Sequence, residues 1–349
     1  MGKKMAGVIL GVTLSVLTSG GLQVWAMPEM TFSDIKPTDW HAGYVMTLSS
    51  MDVVRGYSDS TFKPNEIISK AEFIVLAVKA RHDDIMPASG EHWAMNYMRK
   101  AEALGAIGPG EAAVMKMNAS ITREEAARIL VGTAGEEGLE QPADPLTVFS
   151  DMEDVKEANR PYVHQAVAQG WLSGYPGGEF RPANEVTRAE ASVMLTKSLG
   201  DGAMSRVEEM KAAAARYMET QEAEAEKLRE SILETALELQ GIPYRRGGST
   251  PAGFDCSGFV TYVLEQHGIS LPRSSAAMYR ATERISMDEL EPGDLVFFQG
   301  YQSGPSHVGI YVGNNEFIHA PSSGRTVSFD QVDDPSYWGP RQYGAARIL

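Results

Sequence analysis

A single cysteine, Cys256, occurs in 349 residues, so no intrachain disulfide is available and apolar cores must hold the fold. Basic residues are outnumbered 31 to 46 by acidic ones, and the net charge of −15 excludes nonspecific attraction to nucleic acid or an anionic membrane. His307 and His319 lack a third ligand at a recognisable metal spacing, so neither a metal nor a cofactor is expected. The apolar stretch Met5 to Leu17 is too short for a membrane span, and Ser19, Gly20 and Gly21 follow it closely. What the chain does have is a hydrophobic fraction of 43%, enough for two ordinary cores.

The first residues read as an export signal. Lys3 and Lys4 precede the apolar stretch, and Val24-Trp25-Ala26 places small residues before a cut, giving a signal peptide over residues 1–26, with an uncleaved N-terminal anchor as the alternative. No cysteine follows it, which excludes a lipid anchor there, and no transmembrane span is expected after cleavage.

Subtraction reveals a repeat behind the signal. Tyr44 to Tyr162, Gly56-Tyr57 to Gly174-Tyr175, Phe62 to Phe180, Pro64 to Pro182 and Glu72 to Glu190 are all separated by 118 residues. A middle copy fits, because Tyr44 to Tyr97 and Lys70 to Arg123 are both 53, while Tyr97 to Tyr162 and Arg123 to Arg188 are both 65. The copies cover residues 31–82, 88–135 and 148–200, each a helix, a loop and a helix; in the third, Thr187 caps a helix running to about Leu199 with Glu190 completing a capping box. Lys70, Arg123 and Arg188 fall at equivalent helix starts. There a cation beside free N–H groups makes an anion site, unless each simply pairs with a neighbouring carboxylate. Residues 201–229 are rich in Ala and Glu and read as a helical connector, either a monomeric spacer or a pairing face for a second chain.

Cys256 follows Asp255, which reads as an N-cap, and Phe259, Val260, Val263 and Leu264 make one apolar helix face ending near Gly268. A sulfur in the first turn faces unpaired amides that lower its pKa, which suits a nucleophile; an isolated buried cysteine is otherwise an inert small hydrophobe. Its base must come from elsewhere. His307 begins one strand and His319 ends the next, with Gly313-Asn314-Asn315 as a three-residue turn. If Val312 pairs with Glu316, paired residue numbers sum to 628, so His307 lies diagonal to His319 on one face. His267 reads as a partner for a helix C-terminus.

Two resemblances follow from these residues. Tyr244, Asp255-Cys256-Ser257-Gly258, Leu271-Pro272-Arg273-Ser274-Ser275, Pro292-Gly293-Asp294-Leu295-Val296, His307-Val308-Gly309-Ile310-Tyr311 and His319-Ala320 resemble, in order, the NlpC/P60 cysteine peptidases over roughly residues 230–349. That resemblance implies Cys256 as nucleophile, His307 as general base and His319 as the residue orienting it. It also implies a Tyr244 hydroxyl near the oxyanion, and Asp255, Ser257 and Ser275 as substrate-binding positions, with Arg273 an alternative structural ion-pair partner. Phe149-Ser150-Asp151, Gly174-Tyr175-Pro176, Phe180-Arg181-Pro182 and Thr187-Arg188-Ala189-Glu190 resemble S-layer homology (SLH) repeats. Copy one has Lys70 where the third has Arg188, and copy two replaces the Gly-Tyr-Pro loop by Gly108-Pro109-Gly110 and the Phe-x-Pro pair by Met115-Lys116-Met117.

The expected protein is therefore multidomain: an all-α, three-repeat SLH bundle, a helical linker, and an α+β, papain-like NlpC/P60 domain over residues 230–349. Strands are expected near Asp294 to Phe298, Val308 to Val312, Glu316 to His319 and Arg325 to Phe329. Together the resemblances imply a secreted hydrolase of the bacterial cell envelope. It would bind an envelope or secondary cell-wall polymer through Lys70, Arg123 and Arg188, and cut peptidoglycan stem peptides between D-glutamate and the diamino acid. The alternatives are an amidase or acyltransferase on the same scaffold, or a noncatalytic SLH tethering protein.

Overall fold

The computed structural model describes residues 32–82, 84–88, 92–135, 149–300 and 303–349. The signal-peptide reading over residues 1–26 lies outside them. The chain divides into two compact units, residues 1–215 and 216–349.

The first unit is helical, with α1 (Ala42–Ser50), α2 (Lys70–Lys79), α3 (Met95–Ala103), α4 (Glu111–Val114), α5 (Arg123–Ala134), α6 (Arg160–Ala168) and α7 (Arg188–Ser198). Three of these helices start identically. Ser69, Thr122 and Thr187 cap α2, α5 and α7, and in each the glutamate three residues on returns the bond, Glu72, Glu125 and Glu190. Each box satisfies two amides that a helix start would otherwise leave unpaired. The segments before these helices meet one another through single bridges, Ile67 with Thr187, Ser69 with Ser120, and Thr122 with Glu185. One apolar core joins all of it, including Phe62, Phe73, Ile74, Met98, Leu130, Phe180 and Leu195.

The copies match in their loops as well. Asp34 accepts the Phe62 and Lys63 amides, both at 2.7 Å, and Asp151 accepts those of Phe180 and Arg181, both at 2.7 Å. Gly56 and Gly174 lie so close to Phe32 and Phe149 that a Cβ would sit 2.4 Å and 2.2 Å from a ring carbon. Among the described residues of the middle segment no such loop occurs. There the short α4 follows Gly110, and Glu111 pairs with Arg128 at 2.6 Å.

A long helix, α8 (Asp201–Glu238), follows. Ala203 and Val207 are buried near its start; Ile232 and Ala236 near its end belong to the core of the second unit. None of the described helices is long and apolar enough to cross a membrane.

The second unit is α+β. The short strands β1 (Ser249–Thr250) and β2 (Gly253–Phe254) lead into α9 (Cys256–Glu265) and α10 (Ser275–Ala281). Then come β3 (Glu283–Ile285), β4 (Leu295–Phe298), β5 (His307–Gly313), β6 (Glu316–His319), β7 (Ser328–Gln331) and β8 (Gln342–Arg347). These six form an antiparallel sheet in the order β3-β8-β4-β5-β6-β7. α9 packs against β5 and β6, burying Phe259, Val260, Val263 and Leu264 against Leu295, Phe297, Val308, Ile310 and Ile318.

Within the sheet the β5–β6 hairpin departs in one detail from the expected turn. Ile310 pairs with Ile318 and Tyr311 with Phe317, the register derived from the sequence, but Gly313 pairs with Glu316 across a bulge after Tyr311. The loop is therefore two residues, Asn314 and Asn315, at φ 49° and 64°. This is the conformation that asparagine tolerates in tight hairpin turns, and the bulge absorbs the extra residue without disturbing the register beyond it.

Candidate active site

Asp255 caps α9 with an Oδ1 bond to the Gly258 amide at 2.7 Å, and so sets Cys256 in the first turn. The Asp255 carboxylate also accepts the Gly247 amide at 2.9 Å and grips Arg273 through both oxygens, at 2.8 and 2.9 Å. Arg273 reaches further, to the Ser257 hydroxyl at 2.8 Å and the Gly248 carbonyl at 3.0 Å. Asp255 and Ser257 are thus tied into one arginine-centred cluster that locks the loop 245–248 to the start of α9. Ser275, the first residue of α10, is buried and donates to the Pro305 carbonyl at 2.9 Å, two residues before His307. Tyr244 lies on the adjoining segment, bridged to Phe254 and bonded through its amide to the Arg325 carbonyl at 2.9 Å.

His307 opens β5, and the next residue's amide, that of Val308, faces the Cys256 sulfur together with the Ser257 amide. His307 Nε2 lies 2.6 Å from His319 Nδ1. The diagonal relationship read from the hairpin register is thereby realised. With Nε2 occupied, Nδ1 is the His307 nitrogen left to act as a base.

The chain of contacts continues to a residue that the sequence reading passed over. His319 is completely buried, and its Nε2 lies 3.0 Å from Asp330 Oδ2, which also accepts the Trp338 indole N–H at 2.8 Å. The Trp338 ring stacks on His307, with centroids 4.8 Å apart and planes 29° apart. Asp330 went unnoticed because the fourth strand was expected to end at Phe329. In fact β7 extends to Gln331, and Asp330 pairs with Phe317.

Electrostatics overturns one expectation. Burial pushes the Cys256 thiol up, and Asp255 adds to the rise; the Val308 and Ser257 amides and Arg273 oppose it without prevailing. Burial likewise drives His307 well below the usual imidazole range, and His319 is lowered for the same reason. The helix-start amides do not outweigh desolvation, so the resting pair is thiol and neutral imidazole. Asp330 moves the other way, held far below the usual carboxylate range by hydrogen bonds from His319 and Trp338 despite its partial burial.

In the first unit Lys70, Arg123 and Arg188 occupy equivalent first positions of α2, α5 and α7. The anion site expected from free amides at these helix starts is absent. The first two amides of each helix donate to carbonyls of another segment: Lys70 and Ala71 to Ala119 and Met117, Arg123 and Glu124 to Asn184 and Pro182, Arg188 and Ala189 to Glu66 and Pro64. Lys70 pairs with Glu125 at 2.6 Å. Arg123 is buried, bonded to the Phe180 and Ser173 carbonyls at 3.0 and 2.7 Å, and lies over the rings of Tyr175 and Phe180. Arg188 bonds to the Phe62 and Arg55 carbonyls at 2.8 and 3.2 Å and lies over Tyr57 and Phe62. A mostly apolar cleft beside it, walled by Val54, Phe62, Ile68, Val75 and Leu76, is edged by Arg55, Glu72, Trp93 and Arg188. Among the described residues no cluster of three or more His, Cys, Asp or Glu side chains is arranged to hold a metal.

The NlpC/P60 family model matches residues 241–347, which span the whole Cys256–His307–His319 constellation. Residues 241–347 are thus similar to the NlpC/P60 family. The model for the S-layer homology domain matches residues 31–74 and 148–192. The expected middle copy, residues 88–135, falls outside both segments, in keeping with its missing loop. The probable peptidoglycan endopeptidase LytE of Bacillus subtilis is 48% identical over 117 residues, 34% of this chain and 34% of that protein. The murein DD-endopeptidase MepS/murein LD-carboxypeptidase of Escherichia coli is 41% identical over 119 residues, 34% of this chain and 62% of that one. This chain therefore spans less than two thirds of either relative. A crystal structure of the NlpC/p60 domain of the peptidoglycan hydrolase SagA is 33% identical, with a TM-score of 0.31, covering 34% of this chain and 98% of that one.

Proposed function

We propose that the protein is an envelope-associated peptidoglycan endopeptidase in which the NlpC/P60 domain, a papain-like fold, hydrolyses stem-peptide amides. The observation that carries this reading is the 2.6 Å contact between His307 Nε2 and His319 Nδ1, on the strand whose next amide, that of Val308, faces the Cys256 sulfur. It leaves His307 Nδ1 as the nitrogen available to serve as a base for Cys256. The relatives' endopeptidase names support the substrate class, and the bond between D-glutamate and the diamino acid is the favoured site of cleavage.

The reaction starts from a neutral thiol. As the Cys256 sulfur bonds to the substrate carbonyl carbon, its proton passes to His307 Nδ1, and the Tyr244 hydroxyl and nearby amides stabilise the oxyanion. The imidazolium then protonates the departing amine and the C–N bond breaks. Water, deprotonated by His307, releases the acyl group from sulfur and restores the thiol. Asp255, Ser257 and Ser275 border this site, with Asp255 and Ser257 held by Arg273 at one edge of the substrate groove.

The first unit is the anchor. Its three capped helices and cyclic bridges support a three-repeat SLH bundle, with copies at 31–82, 88–135 and 148–200, that binds an acidic cell-wall polymer. Because the helix amides are occupied, recognition falls on side chains. Arg188, with Arg55 and Trp93 beside an open cleft, is the favoured contact; Arg123 is buried and Lys70 is neutralised by Glu125. In this reading the signal peptide delivers the protein to the cell envelope.

The test uses purified full-length protein and defined muropeptides, with products identified by mass spectrometry. Hydrolysis adds the mass of one water across two products, whereas transfer to another acceptor does not. Cleavage that persists in Cys256→Ala would remove the nucleophile and the reading with it.

A further inference from the structure

We infer that Asp330, seated by Trp338, is a positioning residue that fixes the hydrogen-bond polarity of the two histidines and so keeps His307 Nδ1 bare toward Cys256. The inference rests on the cysteine-peptidase reading above. An indole N–H only donates, so the Asp330 oxygen that receives Trp338 at 2.8 Å is an acceptor. The same oxygen lies 3.0 Å from His319 Nε2, which must therefore carry its hydrogen. A neutral His319 then has a bare Nδ1, and the ring nitrogen 2.6 Å away, His307 Nε2, donates to it. A neutral His307 with hydrogen on Nε2 has none on Nδ1. One acceptor-only group on β7 thus sets both tautomers, two side chains away from the sulfur.

The groups facing the pair from each packed element fit this direction. Cys256 comes from α9, His319 from β6 and Asp330 from β7, while Arg325, on the segment before β7, reaches Asp330 at 3.4 and 3.5 Å. Asp255 and Arg273 border Cys256 and neutralise each other. Asp330 is the anion in hydrogen-bonding contact with the histidine pair. It favours the imidazolium that forms when the thiol loses its proton. Trp338 serves twice, holding the carboxylate by its N–H and the His307 ring by its face.

The test compares wild type, Asp330→Asn and Trp338→Phe in the full chain on a soluble muropeptide. Asp330→Asn is expected to lower kcat by about 10²–10⁴-fold, the usual span for losing a well-set general base, with KM within about threefold. The acid limb of its kcat/KM profile should move to lower pH, because the lost negative charge makes the imidazolium harder to form. Trp338→Phe keeps the stack but loses the N–H, and is expected to show a smaller fall in kcat in the same direction. Nitrogen-15 spectra of wild-type protein should show both buried rings protonated on Nε2, a readout that survives if a variant fails to fold. A kcat within about threefold of wild type in Asp330→Asn with an unmoved acid limb, or a His307 ring protonated on Nδ1, overturns the assignment. Loss of cleavage in Cys256→Ala alongside normal Asp330→Asn defeats only Asp330's role; persistence of cleavage in Cys256→Ala defeats the enzyme reading instead.

Discussion

Gly258 occupies the third position of α9, and its replacement by alanine sets two known effects against each other. Helix propensity alone favours alanine over an interior glycine by about 1 kcal/mol. The packing says otherwise. An added Cβ would lie 2.0 Å from the Gly248 carbonyl oxygen, 2.7 Å from Arg273 Nη2 and 3.0 Å from the Gly248 carbonyl carbon. Two of these are backbone atoms that no rotamer change can move. The same carbonyl accepts the Asp255 amide and Arg273, both at 3.0 Å, so displacing it loosens the clamp that seats Cys256. Overpacking of this kind costs about 1–3 kcal/mol and outweighs the propensity gain. Net of the propensity gain, the loss reaches about 2 kcal/mol, which for a unit of this size corresponds to a fall in melting temperature of up to about 8 °C. Calorimetry on the full chain, with hydrogen exchange of the α9 amides to assign the transition, measures it, and muropeptide turnover should fall in parallel. A Gly258→Ala protein that melts at or above the wild-type temperature with full activity would show that the loop yields freely, and would refute the close-packing argument.

Other consequences can be checked separately. Alkylation of Cys256 by iodoacetamide should be slow at mildly acidic pH and keep accelerating above the ordinary cysteine range, because burial and Asp255 hold the thiol protonated; a rate already at plateau near pH 6 contradicts this. The stability of the second unit should decline as pH drops below about 6.5, because His307 and His319 have folded pKa values below those of the unfolded chain and the unfolded state takes up more protons there. Asp330, also depressed, adds its own loss only below about pH 4, since its contribution is complete above the unfolded carboxylate pKa. Arg123→Met, which strands the Ser173 and Phe180 carbonyls, should lower the first unit's melting midpoint by the equivalent of about 2–4 kcal/mol. Arg188→Met should instead weaken cosedimentation with sacculi while leaving turnover of soluble muropeptides intact; unchanged sedimentation would remove Arg188 from the polymer site.

Much of the architecture was legible because it depends on neighbours in sequence. The capping box at Thr187, the Asp255 cap and the apolar face of α9 are one-turn patterns. The proximity of His307 and His319 followed from counting through a hairpin, where a strand period of two leaves little freedom. The NlpC/P60 and SLH motifs are likewise short, ordered runs.

Tertiary structure decided what depends on chain brought from far away. The amides at the starts of α2, α5 and α7 looked free, yet each finds carbonyls supplied by a different segment, as when Arg188 meets Glu66. The thiol looked activated, yet the charges and amides near it are outweighed by burial, which no local pattern measures. Asp330 acquires its role only when β7 is laid beside β6 and Trp338 folds over both. Sequence specified the groups and their local geometry through hydrogen bonds spanning a few residues. Packing set their charge states and partners, because desolvation and long-range contacts exist only after the chain closes on itself.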